Sequence, residues 1–192
     1  DQVSFDDGYI PTFFDVGCNI NPIPTQCGVL EDFTDLFLSK YPNAKGYAVD
    51  PMYWQSYEKK WGDRITLIKK ALSDTIGTAT LYTPGIEDEF KSHAISSLHN
   101  RDCFSHGIAE DEVECTTIDT LFTQYKLKNI DYLKIDTEGA ELMILRGSEQ
   151  ALTERKIECI QLEYGATYTD GGFGIEDVIE YLARFEYQEF FR

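Results

Sequence analysis

The sequence predicts an α/β fold with a mostly parallel central sheet of about seven strands and helices on both faces. Three observations support this fold class. Short apolar runs alternate with longer segments in which apolar residues recur every three to four positions, as strands and amphipathic helices do. A glycine, Gly17, follows the first apolar run directly. Acidic residues follow several of the runs, and open α/β sheets build their ligand sites beyond the strand ends.

Each element follows from its local pattern. The predicted strands are 12–16, 45–49, 65–68, 113–117, 130–135, 157–162 and a final edge strand, 187–191. The predicted helices are 27–41, 53–60, 118–125, 141–152 and 175–185. Strand, glycine turn, helix and strand at the start of the chain are typical of the first half of a Rossmann-type sheet with right-handed crossovers.

Two segments depart from this alternation. Residues 71–83 alternate threonine and tyrosine with apolar residues around a turn at 75–77, which predicts a β-excursion. Residues 84–112 are polar, carry no strong periodicity and contain all three histidines. A loop of this length in a compact domain is usually functional or disordered, so we expect a lid on the substrate side.

Composition limits the function classes. The 192 residues carry a net charge of −17, from 34 acidic and 17 basic residues, and such a surface would repel a nucleic-acid backbone. No run approaches the roughly 18 apolar residues of a membrane span. Five scattered cysteines without a CxxC pair favour a reducing compartment over a disulfide framework, so we expect a cytoplasmic protein. No metal-binding spacing of histidines is present.

The first candidate site lies at the ends of the first two strands. Gly17 would let the backbone turn sharply beside a ligand, and Asp15 ends the strand before it. Asp50 ends the second strand, where an acid can accept both hydroxyls of a ribose. No G-x-G-x-x-G motif is present, and Asp15 would repel a pyrophosphate. The pattern favours a positively charged nucleoside, S-adenosylmethionine, over a dinucleotide, although capping or turn chemistry would also explain either acid alone.

The second candidate site follows the strand 130–135. Asp136, Glu138 and Glu141 come directly after it, and Lys134 lies inside the apolar run, where an unpaired charge would be costly. Asp136 is the first candidate for a general base or substrate anchor. Glu141 also fits a purely structural role at a helix start. The three carboxylates are compatible with Mg²⁺ as well, and His99 is the second candidate for a base.

Several segments together resemble the FkbM-type methyltransferases, a Rossmann-like class I branch of the S-adenosylmethionine-dependent enzymes. The matching segments are 13–19, 46–51, 70–74 with Gly77, 117–121, and 133–141 with Leu145 and Gly147, followed by Glu163. Two positions depart from the family. Asn21 stands where a second glycine is common, and Asp50 stands where glutamate is frequent.

The resemblance implies one methyltransferase domain over 1–192, which starts at Asp1 and is compatible with excision from a longer chain. The implied cofactor-binding residues are Asp15, Gly17, Asn19, Asn21, Asp50, Pro51, Ala71 and Asp74. The implied catalytic residues are Asp136, Glu138, Lys134 and Glu163. The implied reaction is transfer of a methyl group to a hydroxyl oxygen of a sugar or glycan, with a deoxyhexose such as rhamnose or fucose as an example. Association with glycosyltransferase modules is a further implication.

Other functions remain open at the level of sequence. A polyketide or a lipid hydroxyl is an alternative acceptor, because the family that the sequence resembles includes enzymes that act on polyketides and on lipid-linked glycans. A Rossmann-type nucleotide-binding module without catalysis is a second alternative, and the cluster of acids after strand 130–135 argues against it. A dehydrogenase or nucleotide-sugar enzyme is a third, and the missing G-x-G-x-x-G motif argues against it.

Overall fold

The computed structural model describes residues 4–6, 8–18, 24–25, 28–29, 32–52, 61–85, 95–101, 107–165 and 167–188. Its strands are β1 Thr12–Val16, β2 Pro24–Thr25, β3 Gly28–Val29, β4 Lys45–Val49, β5 Ile65–Ile68, β6 Ala71–Leu72, β7 Gly77–Pro84, β8 Ile108–Thr116, β9 Tyr132–Ile135 and β10 Ile160–Leu162. Its helices are α1 Phe33–Lys40, α2 Ile118–Tyr125, α3 Glu141–Arg146, α4 Glu149–Thr153, α5 Thr167–Asp170 and α6 Ile175–Ala183, with a 3₁₀ turn at Gly62–Arg64.

Five of these strands form the central sheet, in the order β10–β9–β1–β4–β5, and every pairing in it is parallel. The predicted α/β fold with a mostly parallel sheet is therefore confirmed. Because the strands are parallel, their carboxyl ends share one edge. β1 lies at the centre of the sheet, with the carboxyl ends of β4 and β9 on either side of its own.

Two successive residues of β1 show that both faces of the sheet are covered. Phe13 packs with Phe37 of α1 in one buried cluster. Phe14 packs in the other cluster, which includes Ile144 of α3 and Val178 of α6. Successive side chains of a strand point to opposite faces, so α1 covers one face while α3 and α6 cover the other, as predicted.

A second, smaller sheet of three strands has the order β6–β8–β7. β7 and β8 pair antiparallel over eight residues each, and β6 joins β8 in parallel. The predicted β-excursion at 71–83 is thus present. The predicted loop 84–112 is wrong at its end, because β8 already begins at Ile108. The sequence pattern did not predict the first part of β8, because this part is exposed and acidic, and aspartate and glutamate are depleted in strands.

The central sheet is also narrower than predicted, with five strands among the described residues instead of about seven. The segment predicted as the strand 113–117 belongs to β8 of the small sheet. Residues 187 and 188 of the predicted edge strand are not in a strand, and the rest of that segment lies outside the described residues. The predicted helix 53–60 also lies outside them.

Two predicted helices differ from those observed in their start or continuity, and a third, predicted over 175–185, ends at Ala183. The helix predicted over 27–41 begins only at Phe33, because Asp32 accepts a hydrogen bond from the Thr34 amide and caps it. The helix predicted over 141–152 is split at Gly147. A Cβ at Gly147 would lie 2.1 Å from the Ser73 carbonyl oxygen, and α4 restarts where the Asp119 carboxylate accepts from the first amides of that helix.

Among the described residues, no helix has the length and apolar character that a membrane crossing requires.

Candidate active site

A cleft opens at the edge where β1, β4 and β9 end. Polar groups from the ends of the three strands face apolar side chains across it. The lining residues are Val16, Gly17, Val49, Asp50, Pro51, Met52, Lys70, Ala71, Leu72, Leu81, Ser96, Ser97, Leu98, Asp136, Thr137, Glu138 and Ala140.

Gly17 brings two strand ends into contact. Its φ is +71°, and a Cβ there would lie 1.7 Å from the Asp136 carbonyl oxygen. The Gly17 amide donates to the Val49 carbonyl (2.9 Å), and the Asp136 amide donates to the Val16 carbonyl (3.0 Å). Only glycine combines this φ with so close an approach of backbone. The turn therefore keeps the ends of β1, β4 and β9 together at the cleft.

Asp50 lines the cleft at the end of β4. Its Oδ1 accepts a hydrogen bond from the Met52 amide at 2.8 Å, which orients the carboxylate in the turn after Pro51. Burial raises the pKa of Asp50 to about 7. The group therefore changes charge near neutral pH.

Asp15 is buried beneath the cleft, with 1% of its surface exposed. One carboxylate oxygen accepts a hydrogen bond from the Thr34 hydroxyl of α1 at 2.8 Å. The other lies 3.5 Å from Lys134 Nζ. Burial raises the pKa of this carboxyl. Asp15 is thus placed to fix α1 and Lys134 rather than to line the cleft itself.

Lys134 lies between a carboxylate of β1 and the carboxylate that follows β9. Its Nζ lies 3.5 Å from Asp15 Oδ1 and 3.1 Å from Asp136 Oδ2, and 13% of the side chain is exposed. Burial disfavours the charge on this lysine, but the carboxylates of Asp15 and Asp136 outweigh burial and raise its pKa. The register of the sheet explains the contact, because Asp15 and Lys134 are direct neighbours across β1 and β9.

Asp136 and Glu163 form a carboxyl pair at the ends of β9 and β10. A hydrogen bond with Asp136 is the main reason that the pKa of Glu163 is raised, to about 7, and the negative charge of Asp136 and burial add to it. Two carboxyl groups so close cannot both ionise easily. Glu163 therefore changes its protonation state near neutral pH.

Glu138 is held in place by its neighbours. Its Oε2 lies 3.1 Å from Arg101 Nη1, and Arg101 Nε lies 2.9 Å from Asp170 Oδ2. The Ser97 hydroxyl donates to the Glu138 carbonyl at 2.7 Å. The φ of Glu138 is +56°, a left-handed conformation that is uncommon outside glycine. Burial raises its pKa. These contacts form the wall of the cleft above β9.

Glu141 has a structural role. Its side chain is 1% exposed and accepts hydrogen bonds from the Thr137 amide (2.9 Å), the Thr137 hydroxyl (3.1 Å) and the Gly139 amide (3.0 Å). Burial raises its pKa in spite of these bonds. The carboxylate fixes the loop that carries Asp136 and Glu138, and this agrees with the structural alternative rather than with a third reactive acid.

Of the remaining predicted site residues, two line the cleft, one does not, and two lie outside the described residues. Pro51 and Ala71 line the cleft. Asp74 is exposed in the turn between β6 and β7, where its Oδ1 accepts from the Ser73 hydroxyl at 3.3 Å, and it does not line the cleft. Asn19 and Asn21 lie outside the described residues.

Sequence reasoning missed three contributors. Thr34 holds Asp15, and its place two residues after the capping acid Asp32 was the available signal. Ser97 and Arg101 hold the loop at Glu138, but they lie in a polar stretch without periodicity. His99 Nε2 is buried and has no hydrogen-bond partner among the described residues.

Metal ligands do not cluster in the described part of the chain, where no group of three or more histidine, cysteine, aspartate or glutamate side chains is arranged to hold an ion.

Comparisons with known proteins agree with this architecture. Residues 15–189 match the family model described as the Methyltransferase FkbM domain. A solved structure, Methyltransferase FkbM from Methylobacillus flagellatus KT, is similar in fold, with a TM-score of 0.55 and 14% sequence identity. The match covers 95% of this chain and 39% of that one, so this chain spans about two fifths of its length. No curated protein matches the chain. Because the family model covers most of its length, this chain belongs to the FkbM methyltransferase domain family.

Proposed function

We propose that this chain is an S-adenosylmethionine-dependent methyltransferase that transfers a methyl group to a hydroxyl oxygen of a sugar or glycan. One observation carries the proposal. Gly17 and Asp50 on the donor side and Asp136 and Glu138 on the acceptor side line a single cleft. Lys134 joins the two sides from below through its ion pairs. Family membership supports methyl transfer, and the chemistry of these residues supports the choice of a hydroxyl acceptor.

The donor side has the groups that this cofactor needs. Asp50 can accept hydrogen bonds from the ribose hydroxyls, and Val49, Met52 and Leu72 supply an apolar surface for the adenine. The backbone at Gly17 allows close approach of the ligand. The acids around the cleft suit a cofactor with a positive charge and without phosphates. When bound, S-adenosylmethionine supplies a methyl group on a positively charged sulfur.

The acceptor side has a carboxyl pair suited to proton removal. A hydroxyl is a poor nucleophile unless a base takes its proton as the new bond forms. Asp136 lines the cleft and is the residue we assign to this role. Glu163, whose pKa is raised to about 7, can donate a hydrogen bond to Asp136 when it is protonated and can receive the proton after transfer when it is ionised. Methyl transfer also requires that the acceptor oxygen is aligned with the methyl group. The loop that Glu141 holds in place supports this alignment.

Lys134 and Arg101 keep these acids at fixed positions. Lys134 balances Asp15 and Asp136, and Arg101 binds Glu138 and Asp170. Each cation is therefore already paired with two carboxylates. A phosphorylated or carboxylated acceptor would have to compete with these pairs, whereas a neutral polyol would not. The charge arrangement favours an uncharged acceptor such as a sugar.

Calorimetry tests the donor half. We expect S-adenosylmethionine and its demethylated product to bind with micromolar affinity and NAD not to bind. Asp50→Ala should weaken the cofactor, whereas Asp136→Asn should bind it normally. Absence of binding by both forms of the cofactor would exclude the proposed function.

A transfer assay tests the acceptor half. With deoxyhexose glycosides as acceptors and the methylated position identified by NMR, we expect Asp136→Asn to lose at least about 100-fold in turnover, as loss of a general base does. Full turnover by Asp136→Asn would rule out its role as the base.

A further inference from the structure

Tyr164 is an exposed aromatic residue at the acceptor edge of the sheet. It follows Glu163 directly, and 64% of its surface is accessible. The other large exposed apolar and aromatic side chains of the described residues lie elsewhere, before β1, on the outside of α1 and on the small sheet: Tyr9, Ile10, Leu36, Ile76 and Ile108. We propose that the ring of Tyr164 is an acceptor-binding platform, on which the apolar face of a sugar ring packs beside the carboxyl pair.

The ring of Tyr164 is held in position from behind. It meets Tyr168 of α5 edge to face, with the centroids 5.3 Å apart and an interplanar angle of 83°. Tyr168 is 1% exposed and packs in turn on Phe173 at 4.7 Å. Aromatic pairs prefer this edge-to-face geometry. The exposed ring of Tyr164 is therefore supported by a buried ring, and a ligand that packs on it need not order a mobile side chain.

The platform belongs to the same corner as the proposed base. The pKa of Tyr168, which supports the ring, is raised by burial, and the nearby negative charges of Glu141, Asp136 and Glu163 add to this effect. The Tyr168 hydroxyl is buried without a hydrogen-bond partner among the described residues. An unpaired buried hydroxyl lowers the stability of the folded protein. This corner is therefore not arranged for stability alone, which favours a role in binding.

The neighbouring groups indicate the class of ligand. A sugar ring has an apolar face of C–H groups and a rim of hydroxyls. The face fits an exposed aromatic ring, and the hydroxyls fit the oxygens of Asp136 and Glu163. An anionic ligand would meet both carboxylates directly. An ammonium ligand could also bind over the ring, and it is the competing outcome of the test below.

This inference depends on the proposed function, because it places the acceptor beside Asp136. The test therefore measures cofactor and acceptor separately. Binding of S-adenosylhomocysteine is measured by calorimetry. Binding of methyl α-L-rhamnopyranoside and methyl α-L-fucopyranoside is then measured by saturation-transfer difference NMR with that cofactor product present, and tetramethylammonium serves as the cationic probe. The variants are Tyr164→Ala, Tyr164→Phe and Tyr164→Trp, with Ile76→Ala as the matched control, because Ile76 is 71% exposed in the turn before β7.

We expect Tyr164→Ala to weaken glycoside binding and raise the acceptor KM by about 5- to 30-fold, in line with the loss of one aromatic contact. Cofactor affinity should change less than twofold. Tyr164→Phe, Tyr164→Trp and Ile76→Ala should keep glycoside affinity within about threefold of the wild type. Saturation should be strongest on the protons of one sugar face and be lost in Tyr164→Ala.

Other outcomes separate the two proposals. Failure of S-adenosylhomocysteine to bind would count against the proposed function. Normal cofactor binding with no saturation of either glycoside, or with unchanged glycoside affinity in Tyr164→Ala, would overturn the platform alone. Equal losses in Tyr164→Phe and Tyr164→Ala would assign the effect to the hydroxyl and not the ring face. Binding of tetramethylammonium in place of the glycosides would overturn the assignment to sugars.

Discussion

Replacement of Lys134 by methionine should destabilise the protein by leaving two carboxylates without their cation. Asp15 is 1% exposed and lies 3.5 Å from Lys134 Nζ. With an effective dielectric constant of about 20, a unit charge pair at that distance attracts by roughly 5 kcal/mol. Methionine avoids the cost of burying an ammonium group, so we expect a net loss of about 3 kcal/mol, at the lower end of the range for broken buried pairs.

The loss should depend on pH. Burial raises the pKa of Asp15 and the charge of Lys134 lowers it, so without the lysine the pKa of this carboxyl rises further. A folded-state pKa above the unfolded value makes stability fall as pH rises between the two values. The difference in the free energy of unfolding between wild type and Lys134→Met should therefore be small near pH 4 and grow toward pH 8.

Urea denaturation at several pH values measures this effect. The double variant Asp15→Asn with Lys134→Met is the matched control, because it removes the buried charge together with its partner and the asparagine can still accept from Thr34. It should recover at least half of the lost stability at pH 8. A loss below about 1 kcal/mol at pH 8, or no recovery in the double variant, would refute the claim that Lys134 serves to balance Asp15.

Three further predictions concern single acids. Asp50→Ala should weaken the binding of S-adenosylmethionine by about 10- to 100-fold, since hydrogen bonds to a charged group contribute about 1.5–3 kcal/mol. The affinity of the wild type should rise with pH through about 7 as Asp50 ionises. Both effects are measured by calorimetry, and an equal loss of affinity in the exposed variant Asp63→Ala would contradict the assignment. The rate of methyl transfer should also rise through pH 7 as Glu163 loses its proton, because an ionised neighbour makes Asp136 a stronger base. In Glu163→Gln the rise in rate near pH 7 should be absent. A rise that persists in the pH–rate profile of this variant would mean that another group titrates. Glu141→Ala should lower the free energy of unfolding by about 2–4 kcal/mol by leaving buried amides unpaired, as measured in urea, with Glu141→Gln losing less; equal stability of all three proteins would remove the loop-holding role.

The parts of the fold that depend on local sequence were predicted well. β1, β4 and β5 were predicted with their observed bounds, and so was α2, because each has its own apolar pattern and clear end signals. The carboxyl-edge position of Asp50 and Asp136 followed from the same patterns. Parallel strands place their last residues at one edge whatever the order of the strands.

The parts that depend on distant contacts were not predictable in this way. The pairing of Lys134 with Asp15 requires the register between β1 and β9, and no local pattern encodes it. The split between α3 and α4 depends on the carbonyl of Ser73 approaching Gly147. The role of Glu141 depends on the path of the loop before it, so the sequence alone could not separate a loop-holding acid from a reactive one.

The central position of β1 also has a consequence for folding. Its two neighbours come from very different distances along the chain: β4 follows closely, whereas the contact from Thr12 to Asp131, at the start of β9, spans 119 residues. At about 5–20 residues per second, the ribosome needs roughly 6–24 s to supply that segment. During this time the edge of β1 that pairs with β9 has no strand beside it. Such long-range parallel pairing is slow to form, and an unpaired strand edge can pair with other chains, so the newborn chain is most prone to aggregation before β9 has been made.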